Sequence, residues 1–380
     1  MACRVDWQRM EPRLGGPVAG AAIPPVDYLD WYIPRLGEKR PHDLSQSGYG
    51  HPWDLDVDTS DQLSLWSKGL DPAEWVAARY DVTPDQVCMA HGVCQALTFA
   101  ILAALPAEGP RVVGVEMPSF AVVSQCARLL GCEVIPFERD LATNGYDRAT
   151  VRAVIESCSV MVLTPVLNPT GHLLDEADED WLVETTRDLG VSIVSDEVYL
   201  DAAMGTPDYR PMHAKGDHVL SVNSLTKCYG LGAIRVGWVI GSTARIRAAR
   251  DAFYNLQGLT SGPSMAIAQQ AFPRLDEALV QMRANRAANL PLLTPLLEET
   301  GFDFDPPPFG IFGSIDLGTN ACTAIDTHGA ELGLLATPGG MFHADLANHM
   351  RIAWGSSPDV FAAAMPVLRT FLERIQESRA

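Results

Sequence analysis

Apolar residues in this chain gather into short, mostly unbroken runs separated by stretches with helical spacing. The runs at 112–116, 133–137, 160–164, 192–195, 219–223 and 236–240 predict strands covered on both faces, because a half-exposed strand would alternate apolar with polar. A further apolar stretch lies at 86–90. Between the runs, periodic segments predict helices at 72–80, with Asp71 as N-cap, and at 95–105. Others follow at 120–130, closed by Gly131, at 151–156, and at 176–189, ended by Gly190. Strands alternating with helices predict an α/β domain, a mostly parallel sheet sandwiched by helices.

From residue 263 the pattern changes. A long helix through 288, proline-rich connections, short strands at 311–316 and 351–353, and a last helix at 360–377 predict a smaller α+β domain. The first 40 residues are rich in proline and glycine. They hold one predicted helix, 26–36, stopped by Gly37, which packs on a partner subunit or on the chain's own C-terminal domain. The expected division is an N-terminal arm or part of the small domain (1–42), a large domain (43–262) and a small C-terminal domain (263–380).

Composition narrows the function classes. The formal net charge of −19 argues against a nucleic-acid partner, which needs clustered basic residues. It argues more weakly against an anionic membrane surface. No stretch approaches the roughly 18–20 apolar residues of a membrane span, and residues 1–11 carry no apolar signal-peptide core. None of the eight cysteines forms a Cys-x-x-Cys pair, so no zinc or redox motif is expected, and the cytoplasm is the expected location.

Only four lysines occur, at 39, 68, 215 and 227. Most lysines are solvated surface charges. Lys227 differs because it follows an apolar run directly, stands three residues after Ser224 and precedes Arg235 by eight. A nucleophilic lysine must be held and partly desolvated. A hydroxyl and a guanidinium beside it suit a phosphate. Asn168-Pro-Thr-Gly171 follows the run 160–164 and reads as a turn. Asp196-Glu-Val-Tyr199 follows 192–195, where a carboxylate either caps a helix or points into the crevice at the strand ends. His91-Gly-Val-Cys-Gln-Ala96 opens a helix, and backbone N–H groups at a helix start suit an anion. Phe120 starts the next helix. Arg351 lies among apolar neighbours and needs an anionic partner. Asp43-Leu-Ser-Gln-Ser-Gly-Tyr49 reads as a polar loop.

In this order the motifs resemble the fold-type-I pyridoxal-phosphate-dependent enzymes of the class I/II aminotransferase superfamily, over about residues 43–375. The resemblance implies an aspartate-aminotransferase-like fold and an aminotransferase that moves the amino group of an α-amino acid to a keto acid. It makes Lys227 the catalytic residue, bound to pyridoxal 5'-phosphate as a Schiff base. The phosphate then falls to Val93, Cys94, Ser224 and Arg235, the pyridine nitrogen to Asp196, and the phenolic oxygen to Asn168 and Tyr199. Phe120 stacks on the ring, Arg351 grips the substrate α-carboxylate, and Ser47 or Gly48 lines the substrate pocket. A homodimer is implied.

The chain departs from the family pattern at Ser64. A tyrosine is usual there, five residues before a Gly-Leu pair (here Gly69-Leu70), and it reaches the neighbouring subunit's phosphate. The usual Leu-Arg is also missing; Trp66 and Tyr49 are the candidate substitutes. In addition, Val26-Asp-Tyr-Leu-Asp-Trp-Tyr32 followed by Asp43-Leu-Ser-Gln-Ser-Gly48 is similar to the N-terminal layout of capreomycidine synthases, superfamily members that carry out elimination and cyclisation. The alternative expectation is therefore a lyase or cyclase on the same scaffold. A binding-only protein or cofactor-dependent regulator is the third reading, disfavoured because no extra basic domain is present.

Overall fold

The computed structural model describes residues 26–35, 38, 40–55 and 71–379. Ser64, Trp66 and the Gly69-Leu70 pair lie outside the described residues, as does Gly37. The strands, in chain order, are β1 (His42–Asp43), β2 (Val87–Ala90), β3 (Val112–Met117), β4 (Glu133–Glu138), β5 (Val160–Leu163), β6 (Ser192–Asp196), β7 (Val219–Ser224), β8 (Gly237–Ile240), β9 (Phe312–Asp316), β10 (Leu334–Leu335), β11 (Thr337–Pro338) and β12 (His349–Ala353).

Seven of them form one sheet in the order β2-β8-β7-β6-β5-β3-β4. This is the expected α/β sheet. Its central strands are closed to water: every residue of β5, β6 and β7 is buried. Helices Val93–Ala104 and Thr243–Leu256 cover one face with Leu97, Ile101, Ala249 and Phe253. Leu182 and Val183 of Glu176–Leu189 and Ile155 of Arg148–Ser157 pack with Met161 and Ile193 in a second cluster.

Strand direction is what places the site. β3, β4, β5, β6 and β7 run parallel, β8 runs against β7, and β2 runs against β8. Two reversals leave β2 parallel to β7. The carboxyl ends of β2, β3, β5, β6 and β7 therefore share one edge with the amino end of β8. That edge receives His91–Gln95, Phe120, Asn168, Asp196–Tyr199, Ser224–Lys227 and Arg235. Crevices at such edges are where open α/β sheets bind ligands.

A second core forms around the three-stranded antiparallel sheet β11-β12-β9. It joins Leu293 and Leu297 to Ile352, Trp354, Phe361 and Phe371, and it includes Trp31 and Leu44 from the N-terminal segment. Helix Asp27–Arg35 thus packs on the C-terminal part of its own chain, and Arg35 pairs with Asp326 at 2.8 Å. β1 adds a parallel pair with β10.

The expected single helix after 263 is two: Gly262–Ala271 and Leu275–Glu299, separated by a short turn at Phe272–Arg274. Pro273 lacks the N–H that a continuous helix needs at that point. The second helix runs past Pro291 and Pro295, beyond the expected end at 288. Leu293, Leu296 and Leu297 bury there against the last helix, Pro358–Arg379, and packing outweighs the two lost hydrogen bonds. The same helix buries Leu275, Ala278, Leu279 and Met282 in the core beneath the large sheet, so it belongs to both cores.

One buried ion pair ties the sheet edge together. Arg139 and Glu116 are 3% and 1% exposed. The guanidinium donates to Glu116 Oε1 at 2.6 and 2.8 Å and to the carbonyls of Thr164 and Pro165 at 2.9 and 3.0 Å. Tyr146 donates to the same carboxylate oxygen at 2.6 Å, and the Thr164 N–H donates to the other at 2.9 Å. These bonds hold the start of the loop that carries Asn168. Arg139→Met leaves Glu116 buried without its cation, and we expect chemical denaturation to show a loss of about 3–5 kcal/mol.

Candidate active site

The helix Val93–Ala104 begins without a side-chain cap. Its first-turn N–H groups face an open end, where an anion is favoured. Gly92 precedes it at φ 75°, and a Cβ there would lie 2.2 Å from Arg235 Nη2. The guanidinium therefore lies directly over this glycine, whose positive φ suits a residue without a Cβ. Gly237, at the start of β8, is pressed just as closely: its Cβ would meet Gly92 at 2.7 Å. Arg235 itself is exposed and sits at φ 53°; it pairs with no carboxylate among the described residues, and its Nη1 donates to the Gly232 carbonyl at 3.3 Å. A guanidinium without a carboxylate partner over an uncapped helix start is a cradle that fits a phosphate.

Lys227 is half-buried. Its Nζ donates to Ser47 Oγ at 2.9 Å and stands 5.7 Å from the centre of the Tyr199 ring. The Tyr49 N–H donates to the Lys227 carbonyl at 2.8 Å, and a Cβ on Gly48 would touch the Thr226 carbonyl at 3.4 Å. Residues 47–49 therefore run directly along the lysine loop. Tyr49 is buried in its own chain's core, which removes it as a replacement for the missing tyrosine. Ser224 is fully buried, and its Oγ accepts from the Thr226 N–H.

Asp196 ends β6 in a buried position, with the Val198 N–H at 3.3 Å. Burial pushes its carboxyl up to about 7, and the Val198 N–H and the charge of Lys227 offset only part of this. Such a carboxylate calls for a cationic N–H partner. A protonated pyridine nitrogen has that chemistry. Cys94 feels the charges of Arg235, Asp196 and Lys227 together, while burial raises its thiol. The candidate anion cradle, the acid and the lysine thus surround one space.

Asn168 leads into a tight turn in which the Gly171 N–H donates to the Leu167 carbonyl at 2.7 Å. Gly171 has φ 80°, and a Cβ there would lie 2.4 Å from the Phe312 carbonyl. Asn168 Oδ1 accepts from Arg351 Nη1 at 2.8 Å. Arg351, on β12, is 1% exposed. Its Nη2 donates to the Ser45 carbonyl at 2.7 Å and to Thr337 Oγ1 at 3.0 Å, and its guanidinium carbon lies 5.3 Å from the Phe312 and Phe342 rings. Its buried Nε has no acceptor. A buried guanidinium held only by neutral groups, with a donor to spare, fits a carboxylate.

The strand ends thus bring Cys94, Asp196, Lys227 and Arg235 together, with Ser47 on the lysine and Arg351 on Asn168. Sequence reasoning missed the carboxylate that positions several of them. Asp201 Oδ2 accepts from Tyr80 and Tyr229 hydroxyls, both at 2.6 Å, and from Asn223 Nδ2 at 3.1 Å. Arg79 Nη2 donates to the Tyr229 hydroxyl at 2.9 Å. Burial raises all three acids, Tyr80, Tyr229 and Asp201. Also missed were Tyr28 and Tyr32, which stack at 5.3 Å beside Phe120. Their i, i+4 spacing was the available signal.

Residues 72–365 match the family model described as aminotransferase class I and II. The chain is 29% identical over 215 residues to a probable aminotransferase of Mycobacterium tuberculosis, covering 55% of this chain and 51% of that protein. It thus spans about half the length of that relative. It is 26% identical over 302 residues to the 4-dedimethylamino-4-oxo-anhydrotetracycline transaminase OxyQ of Streptomyces rimosus, covering 77% of this chain and 80% of that one. Among solved structures, it resembles an aminotransferase from Mycobacterium tuberculosis with a TM-score of 0.79 and 22% identity, covering 94% and 98% of the two chains. It also resembles the aspartate aminotransferase of Thermus thermophilus with maleate, with a TM-score of 0.75 and 19% identity, covering 92% and 97%. The fold and the matched family agree: the chain belongs to the class I and II aminotransferases, a family whose members use pyridoxal 5'-phosphate.

Proposed function

We propose that this protein is an aminotransferase that moves the amino group of an α-amino acid to a keto acid, with Lys227 as its catalytic residue. The observation that carries this reading is the convergence of Lys227, buried Asp196 and Arg235, which has no carboxylate partner among the described residues, at one sheet edge, with Arg351 beside them.

Val93 and Cys94 N–H groups, Ser224 and Arg235 would hold the cofactor phosphate. Asp196 would bind the pyridine nitrogen, Asn168 and Tyr199 the phenolic oxygen, and Phe120 the ring face. When bound, pyridoxal 5'-phosphate supplies an electron sink for negative charge developing at the substrate α-carbon. Arg351 binds the substrate carboxylate, with Asn168 Oδ1, Thr337 Oγ1 and the Ser45 carbonyl fixing its plane. Lys227 Nζ takes the proton from the α-carbon, and Ser47 Oγ keeps Nζ aimed across the pocket. Ser47 and Gly48 line the substrate side.

The reading includes a homodimer. Tyr254, Leu256 and Leu259 are 62%, 64% and 56% exposed, apolar side chains that a partner surface would cover. They lie just before Ser261, whose N–H donates to His91 beside the anion cradle. The reading also keeps the division at 1–42, 43–262 and 263–380, with helix Leu275–Glu299 crossing it. A cytoplasmic location is supported by the seven described cysteines, all unpaired. Among the described residues, no helix is long and apolar enough to cross a membrane.

Ser64 favours a second reading, elimination or cyclisation on the same scaffold. One experiment separates the two. The yellow holoenzyme is mixed with single amino acids while absorbance and ammonia are followed. Loss of the yellow band without ammonia, and its recovery on adding a keto acid, is expected. Stoichiometric ammonia release with the band restored would replace amino transfer by elimination.

Asp196 generates a pH prediction. Its folded pKa lies above the unfolded carboxylate value, so folding penalises the charged form. The penalty grows as pH rises from about 4 to about 7 and is complete above that. In the cofactor-free protein, Asp196→Asn therefore stabilises by a few kcal/mol at pH 8 and has no effect below pH 4, measured by urea denaturation. The same variant binds the cofactor more weakly.

A further inference from the structure

The named substrates of the curated relatives range from aspartate to histidinol phosphate to a tetracycline intermediate. They leave the side chain accepted by this protein open, and the geometry beside Arg351 narrows it. Helix Asp27–Arg35 lays Tyr28 and Tyr32 parallel to each other, 5.3 Å between ring centres and 12° between planes. Tyr28 meets Phe120 edge-on at 5.7 Å and faces Phe342 at 6.0 Å. Phe342 in turn lies 5.3 Å from the Arg351 guanidinium carbon. Tyr28 therefore stands between the residue placed on the cofactor ring and the residue placed on the substrate carboxylate.

Tyr32 closes the other side of this wall. Its hydroxyl receives Gln46 Nε2 at 2.5 Å, one residue from Ser47, which holds Lys227. Burial and nearby Asp43 push the Tyr32 hydroxyl up to about 12, so it remains neutral at every working pH. Tyr28 and Tyr32 are both half-buried, so each keeps surface that a ligand can cover.

The charges disfavour one large class. The cation that lies against Phe342 and acts on the Tyr32 hydroxyl is Arg351, already assigned to the α-carboxylate. Arg35, on the same helix, is committed to Asp326 and the Trp31 carbonyl. A second carboxylate on the substrate would meet tyrosine and phenylalanine rings with no counter-charge from this wall, a costly burial. An aromatic side chain instead gains edge and face contacts with them.

We infer that Tyr28 and Tyr32 form a specificity wall that selects an amino acid with an aromatic side chain. This rests on the amino-transfer reading above. The wall is supplied by the N-terminal helix, so selection depends on that helix docking against Phe120 and Phe342.

The test is a single-turnover comparison on the holoenzyme. Rate constants for loss of the cofactor absorbance are measured with L-phenylalanine, L-alanine and L-aspartate at subsaturating concentration. Phenylalanine is expected to exceed both others by at least about tenfold, the equivalent of about 1.4 kcal/mol. Tyr28→Ala is expected to shrink the phenylalanine-to-alanine ratio by about tenfold, whereas Tyr28→Phe retains it. A merely structural role for Tyr28 would lower both rates together and leave the ratio unchanged, which would overturn the inference. A preference for aspartate would do the same. Absence of reaction with all three, while another amino donor bleaches the cofactor without releasing ammonia, would overturn this inference alone; release of ammonia in place of amino transfer would contradict the reading on which it rests.

Discussion

The Asp201 carboxylate is the point on which the geometry of the site rests. It is 1% exposed and gathers two tyrosine hydroxyls and an asparagine amide on one oxygen. Each donor belongs to a different piece of the site. Asn223 precedes Ser224, Tyr229 lies two residues after Lys227, and Asp201 itself follows the Asp196–Tyr199 segment. Tyr80 and Arg79 tie the same cluster to helix Pro72–Tyr80. A buried carboxylate is costly unless its partners are all in place. The loops that carry Asp196, Ser224 and Lys227 are therefore fixed relative to one another before any ligand binds, as a pre-organised catalytic site requires.

The opposite wall comes from the C-terminal core and the N-terminal segment. Arg351 on β12 reaches across to Asn168 on the large sheet's edge, and the Ser45 carbonyl meets it from the chain's beginning. This side of the crevice is thus assembled from three stretches far apart in sequence. Under the proposed function the large sheet would supply the cofactor contacts and the smaller sheet the carboxylate grip. The N-terminal segment would supply Ser47 and the aromatic wall.

Much of this was legible in the sequence. Runs rich in apolar residues marked β5, β6 and β7, because strands buried on both faces need not alternate with polar positions. Asn168, Asp196, Ser224, Lys227 and Arg235 were legible because each follows or precedes such a run, and a parallel sheet delivers strand ends to one edge. Other features depended on tertiary packing. Pro291 and Pro295 argue locally for a helix end, yet Leu293, Leu296 and Leu297 carry the helix through them. Nothing in the local pattern pairs Arg139 with Glu116, 23 residues apart, and only the fold reveals them as a buried pair. The contact between Lys227 and Ser47 spans 180 residues, beyond any local pattern.

Under the proposed function, Lys227 is the residue that carries the cofactor. Borohydride reduction of the holoenzyme, followed by proteolysis and mass spectrometry of the peptides, is the decisive test. The cofactor's mass is expected on the peptide containing Lys227, and on no peptide of Lys227→Ala. Modification at Lys39, Lys68 or Lys215 in place of Lys227, or a reducible link that persists in the variant, would contradict it.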